Sequence, residues 1–307
     1  MRRIWTGLLL ALLIPYIVTL AWTGTIRGIK EKRQVGSPGS GRMIVLPEET
    51  VDMEEYLVGV VGRQMPADYG VEALKAQAII GRTYICRQMG EKQEISQEEL
   101  NLEYLEADQL EQMWGSDRFL DFYERIRQAV EETRGLVLVS NGDLIEPLFH
   151  RASTGTTRTG DSNHPYLQSV ESRKDVEMEG YLSVILWDAE TFTEMINGIT
   201  EEKDQKADQI AATIQMVERE ESGYVRTMQI GNHTYTGDEL QQTLRLPSAC
   251  FTLESYEGQI RAVCQGMGHG YGMSQYGAKV KAESGATAEE ILNYYFKDVT
   301  IQDDSSF

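Results

Sequence analysis

Apolar and polar positions change rhythm several times along the chain, and each change predicts an element. Residues 4–26 (IWTGLLLALLIPYIVTLAWTGTI) run for 23 positions without a charge, longer than the roughly 20 apolar residues that span a bilayer. Pro15 falls mid-span, where a membrane helix accepts it because neighbouring groups take up the freed carbonyl. Two readings follow: an uncleaved anchor, favoured by the length of the run, and a cleaved signal peptide, with Thr19-Leu20-Ala21 as the small-residue site. Residues 34–41 (QVGSPGSG) read as a flexible tether. A short strand near Met43 precedes a helix from about Asp52, with Met53, Tyr56, Leu57, Val60 and Val61 at helical spacing. Pro66 and Gly70 end it.

The next helix is expected over 71–89, where Ala73, Leu74, Ala76, Ala78, Ile80, Tyr84 and Ile85 form the apolar set. Residues 90–110 are acidic and polar, and 119–133 is helical. GLVLVSNGDLIEPLFH then reads as two strands joined at Asn141-Gly142, a strong hairpin signal, followed by the long polar loop RASTGTTRTGDSNHPY. Residues 176–221 carry the weakest pattern: helices near 191–197 and 208–220, with the solvated run EEKDQK between them. From Gly223 come the strands YVRTMQI and NHTYTG, helical DELQQTLRL, a hairpin in CFTLESYEGQIRAVC, a glycine-rich loop, and helices at 276–284 and 288–296. The sum is an α+β fold: a short tail (1–3), the anchor (4–26), a linker (27–42), one domain (43–300) and a tail (301–307).

Charge narrows the function. The net charge of −19 offers no electrostatic footprint for nucleic acid, because such binders gain affinity by neutralising phosphates. Arg2 and Arg3 precede the apolar run while Arg27, Lys30, Lys32 and Arg33 follow it, so flanking charge alone does not orient it. A single N-terminal segment before a long domain places the bulk of the chain outside the cytoplasmic membrane. Cys86 reads as a buried apolar residue. For Cys250 and Cys264 two readings stand: a hairpin centred on Glu257 sets the sulfurs opposite each other, and a one-residue slip sends them to opposite faces. No CxxC or Cys/His spacing suggests a metal, and no cofactor is implied.

Three segments carry polar groups suited to a ligand. On the 71–89 helix Glu72, Lys75 and Arg82 recur at steps of three and seven, which aligns them on one face. An ordinary salt-bridged stripe would look the same, but the alanine-rich surroundings suggest burial, and a buried Lys or Arg needs a partner. The loop RASTGTTRTG supplies Ser153, Thr154 and Arg158, hydroxyls and a guanidinium suited to sugars. In GMGHGYGMSQYGA the glycines permit positive φ and close backbone approach, with His269, Ser274, Gln275 and Tyr276 among them.

The strings at 54–84 (EEYLVGVVGRQMPADYGVEALKAQAIIGRTY), 147–160 with 165–170, and 237–251 with 266–296 resemble successive blocks of the stage II sporulation protein D family, and they cover nearly all of 54–296. The resemblance implies a membrane-anchored lytic transglycosylase that acts on peptidoglycan glycan strands beside the stage II sporulation proteins P and M, with its domain in the intermembrane space of a sporulating cell. It implies a cleft built from the 64–82 region, the 153–159 loop and the 266–278 loop. Some relatives carry a Cys/His metal loop after the first helix, and residues 90–114 contain neither residue type.

One position departs from the family. Its catalytic acid is a Glu in a string like VVAAEMP, and the matching string here is VVGRQMP, with Gln64 in that place. Glycan scission of this kind needs a carboxylic acid to protonate the leaving oxygen and then, as carboxylate, to help an anhydro ring close, and an amide does neither. Three readings stand: a glycan-binding scaffold in which Gln64, Lys75, Arg82 and His269 hold the strand; a substitute acid, with Glu72 first, then Asp68 and Glu55; or an acid elsewhere, with Gln64 positioning substrate.

Overall fold

The computed structural model describes residues 39–200 and 205–304. The apolar run 4–26, most of the 34–41 tether and part of EEKDQK lie outside them. Among the described residues no helix is long and apolar enough to cross a membrane. The chain is mixed α and β, and it divides into two compact units: residues up to Ala67 with Met89–Arg134, and Asp68–Gln88 with everything from Gly135 onward.

In the first unit β1 (Met43–Val45) pairs antiparallel with β2 (Thr50–Asp52) and parallel with β3 (Glu94–Ser96). Asp52 caps helix α1 (Met53–Gln64), its carboxylate accepting the Glu54 N–H at 2.9 Å. Met53, Tyr56, Leu57, Val60 and Val61 are all buried, as their spacing predicts. Gly62 lets Leu110 approach, since a Cβ there would stand 3.0 Å from it, and Tyr56 stacks on Tyr104 at 4.6 Å. Helices α3 (Gln97–Leu100), α4 (Ala107–Trp114) and α5 (Ser116–Glu132) follow. The acidic stretch 90–110 therefore carries structure. Its strand is three residues long with one buried residue, Ile95, too short to show a period.

The second unit begins with α2 (Val71–Met89), at the bounds its sequence predicts. Strand β4 (Leu136–Ser140) turns through Asn141 (φ 53°) and Gly142 (φ 90°) into β5 (Asp143–Leu144), and β14 (Thr300–Asp303) flanks β4 on its other side. Helix α2 grips this sheet by its side chains. Arg82 donates to the Leu136 carbonyl at 3.1 Å, and the Thr83 hydroxyl accepts the Leu138 N–H at 2.9 Å. Strand β6 (Phe149–His150) pairs parallel with β13 (Met273–Ser274).

Two three-stranded sheets complete the unit. One has the order β11 (Phe251–Tyr256), β12 (Gln259–Gln265), β7 (Leu182–Asp188); the other is β10 (His233–Thr236), β9 (Val225–Ile230), β8 (Gln215–Arg219). With α6 (Ala189–Asn197), α7 (Ile210–Thr213) and α8 (Gly237–Thr243) they enclose a core that includes Phe192, Ile196, Val225, Ile230, Leu240 and Phe251. Helices α9 (Gln275–Glu283) and α10 (Ala288–Tyr295) close the chain.

Three expectations change here. The helix over 208–220 shrinks to Ile210–Thr213, because 215–219 pairs with β9 instead, tertiary pairing overriding local propensity. Strand β7 goes unpredicted in the weakly patterned stretch. In the cysteine hairpin the turn is the pair Glu257-Gly258, with Tyr256 opposite Gln259, so Cys264 faces Phe251 and not Cys250. That one-residue slip excludes the cross-strand disulfide, and all three cysteines are free and buried.

Candidate functional site

The two motif-bearing segments of the second unit are zipped together by backbone hydrogen bonds. Ala152 and Met267 exchange N–H···O bonds at 3.1 and 2.8 Å, Arg158 N–H donates to Gly270 O, Met273 N–H to Leu148 O, and Tyr276 N–H to Arg151 O. The glycine-rich string owes its alternation to this. Gly266, Gly268, Gly270 and Gly272 all have positive φ, and a Cβ on Gly270 would collide with the Tyr224 ring.

Beneath the zipper lies a buried carboxylate that the sequence did not announce. Asp175, in a 3-10 turn at Arg173–Glu177, accepts from Ser153 N–H (2.7 Å), Ser153 Oγ (2.6 Å) and Ser172 Oγ (2.8 Å), and also from the Ser274 hydroxyl. Burial pushes its pKa up, and these hydrogen bonds oppose the shift. Ser274 also caps α9, accepting the Gly277 N–H at 3.1 Å. Beside it Gln275 donates to Gln77 of α2 at 3.2 Å. Ser153, Ser274 and Gln275 are thus internal struts, each within 1% of full burial, and a ligand at the surface does not reach them.

The other anticipated contacts are similarly committed. Arg82 is fully buried and donates to the Leu136 carbonyl of β4. Lys75 Nζ donates to Glu72 Oε1 at 2.8 Å, while Glu72 Oε2 accepts the Ala288 N–H at 2.8 Å at the start of α10. Both Glu72 oxygens are thus engaged, one by a cation and one by the first N–H of α10. The Thr154 hydroxyl donates to Ser222 O at 2.6 Å. Arg158 is clamped between Glu220 (2.6 Å) and Asp238 (2.7 Å), with its guanidinium over Tyr271 at 4.2 Å. It pins the loop from within instead of meeting a sugar.

Two histidines adjoin this clamp. His269 Nδ1 accepts the Tyr271 N–H at 3.1 Å, and its ring also bonds the Phe149 backbone. His150 Nδ1 lies 2.9 Å from Tyr271 O, which fixes the tautomer with a proton on Nδ1 and a buried lone pair on Nε2. Burial drives both pKa values down to about 4, and for His269 the neighbouring His150 and Arg158 add to the effect. Both rings are neutral at physiological pH.

Half-buried Tyr276 and Lys279 and exposed Arg151 form a small aromatic and basic cluster with the buried Tyr69. Lys279 Nζ sits 5.6 Å from the Tyr69 ring centroid and 5.0 Å from that of Tyr276, inside cation–π range. Arg151 is exposed beside them and acts electrostatically on the Tyr69 hydroxyl, whose pKa burial raises. Of the predicted contacts only Tyr276 belongs to this group. Tyr69, Arg151 and Lys279 were legible only as ordinary residues flanking the motifs. Gln64 ends α1 in the first unit and is half-buried. Among the described residues no group of three or more His, Cys, Asp or Glu is placed to hold a metal ion.

In this α+β protein Gln77 ties helix 71–89 to the glycine-rich loop at Gln275, and Asp175 ties that loop to the 153 and 172 segments; known proteins resemble it in sequence. The family described as SpoIID, stage II sporulation protein, matches residues 45–139. The stage II sporulation protein D of Bacillus amyloliquefaciens is 32% identical over 271 residues, covering 84% of this chain and 76% of that protein; its counterpart in Bacillus subtilis (strain 168) is 31% identical, covering 84% and 77%. The amidase enhancer of Bacillus subtilis (strain 168) is 24% identical over 296 residues, covering 80% of this chain and 40% of that protein. The chain belongs to the stage II sporulation protein D family.

Proposed function

We propose that this protein is a glycan-binding member of its family that holds peptidoglycan strands during sporulation without cutting them. The observation that carries the reading is Gln64 at the position of the family's acid, together with the commitments of the nearest substitute: Glu72 is tied to Lys75 and to the α10 N-terminus. Without a general acid the chemistry forfeits about 10²–10⁴ in rate, some 2.7–5.5 kcal/mol of barrier. Binding does not need that acid. Tyr276, Lys279 and Arg151, backed by the buried Tyr69, offer a ring face and cationic donors of the kind that engage sugars and their carboxylates. A relative is named for enhancing an amidase, which fits a protein that serves another enzyme of the wall.

In this reading residues 4–26 anchor the chain in the cytoplasmic membrane, the described residues lie outside it, and the stage II sporulation proteins P and M act alongside. The test is to incubate the full-length protein in mild detergent with glycan strands stripped of stem peptides, beside Gln64→Glu and Tyr276→Ala with Lys279→Ala. Co-sedimentation and mass spectrometry read binding and products. The native chain should bind and release nothing, Gln64→Glu should yield anhydro-ended fragments, and the double variant should lose binding. Anhydro-ended fragments from the native chain would overturn the reading.

A further inference from the structure

Strand β7 inverts the usual relation between chemistry and exposure. Its seven residues, LSVILWD, pair with β12 along their whole length in unbroken register, Leu182 to Gln265 through Asp188 to Gln259. Among the described residues it has no ladder partner on its other side. Ile185 and Trp187 pack toward the core. Leu182, Val184 and Leu186 point the other way and are 61%, 60% and 45% exposed. Val184 stands opposite Val263, which extends the apolar strip one strand inward, and beyond it the face turns polar with Arg261 paired to Glu254. The strip hugs the edge.

Edge strands are normally protected by a proline, an outward lysine, a bulge or a very short length. β7 has none of these. A row of uncommitted backbone N–H and C=O groups beside three exposed aliphatic side chains is the surface that takes up an additional strand, with main-chain bonds giving affinity and alternate side chains giving specificity. The flanks state the charge of the occupant. Glu179 precedes β7 and Glu190 follows it, both exposed, Asp188 ends the strand as the cap of α6 and Glu177 is paired with Lys174, and the chain as a whole carries −19. A second copy fits poorly. Each copy carries a net charge of −19, and a charge that far from zero disfavours association of like chains.

We propose that β7 docks an extended segment of another protein, apolar at alternate positions and flanked by lysine or arginine, as an added edge strand. The test uses the full-length protein and the labelled peptide Lys-Lys-Val-Thr-Val-Thr-Val-Lys-Lys, read by fluorescence anisotropy and by amide exchange of β7. The native protein should bind it and gain protection across 182–188. Val184→Lys should weaken binding about tenfold or more while circular dichroism is unchanged, and a peptide with glutamates for its lysines, or with a central proline, should fail to bind. Absence of binding by the native protein, or binding untouched by Val184→Lys, overturns the proposal. Concentration-dependent dimerisation in sedimentation, abolished by Val184→Lys, would instead assign the strip to a second copy and overturn the choice of occupant.

Discussion

The surroundings of Asp175 and the outer face of β7 break the same rule in opposite directions. At the first, a carboxylate, three serines and, nearby, an arginine lie inside the second unit. At the second, three aliphatic side chains lie outside it. The interior polar groups are satisfied at nearly every atom: Asp175 accepts from Ser153, Ser172 and Ser274, and Arg158 donates to Glu220 and Asp238. Among the described residues the apolar strip is left largely uncovered. Burial that looks unfavourable but is fully partnered builds a scaffold, whereas exposure that looks unfavourable and is unpartnered leaves a surface for something else.

The sharpest way to break the comparison is to leave a charge inside without its partner. Arg158→Met keeps volume but leaves Glu220, mostly buried, facing Asp238 with no cation between, and should cost about 3–5 kcal/mol, read as a fall in the urea midpoint. Asp175→Asn is next. Its amide cannot accept from all the donors that converge there, and the loss should be about 2–3 kcal/mol, with the glycine-rich loop becoming more exchangeable. If Asp175→Asn were neutral, the interior network would not be the scaffold described.

Much of this architecture could be read in advance. Helix 71–89, the Asn141-Gly142 hairpin and the closing helices each had a period, a breaker or a turn pair of their own, and local signals of that kind survive folding. β7 did not, because Leu, Val and Leu on one side alternate with Ser, Ile and Trp on the other, so both faces read as apolar and no period-two contrast appears. Asp175 was invisible for a different reason. A lone aspartate becomes a hub only when serines from residues 153, 172 and 274 arrive together, and that convergence belongs to the tertiary fold. The site residues suffered in the same way: Arg82, Ser153, Ser274 and Gln275 carry chemistry suited to a ligand, but the fold spends it on its own backbone and side chains.

Proton linkage sharpens the contrast within the histidines. His150 and His269 have folded pKa values near 4 against an ordinary 6.5, so the folded state resists protonation and stability should fall as pH drops from about 6.5 toward 4. His150→Asn, whose amide can keep the donor to Tyr271 O, should flatten that acid limb in Tm measurements. His164 runs the other way. It is held by Asp161 at 2.7 Å and Glu146 at 3.0 Å, which raise its pKa, the first more than the second. Its contribution is complete below about 6.5 and fades as pH rises through the raised value. Relative to His164→Gln, the native chain should lead in Tm at pH 6 and lose that lead in mildly alkaline buffer.

The smallest expected effect separates the two regions most cleanly. Val184→Lys places a charged, flexible chain where 60% of the valine already meets solvent, and outward lysines are themselves a common protection of edge strands. Its stability should therefore stay within about 0.5 kcal/mol of the native value, while the inward neighbour Ile185→Lys, turned toward the Phe192 core, should lose several times that much. A Val184→Lys variant as damaged as Ile185→Lys would mean that the strip is covered within the chain itself, and the distinction between a satisfied interior and an unpartnered edge would fail.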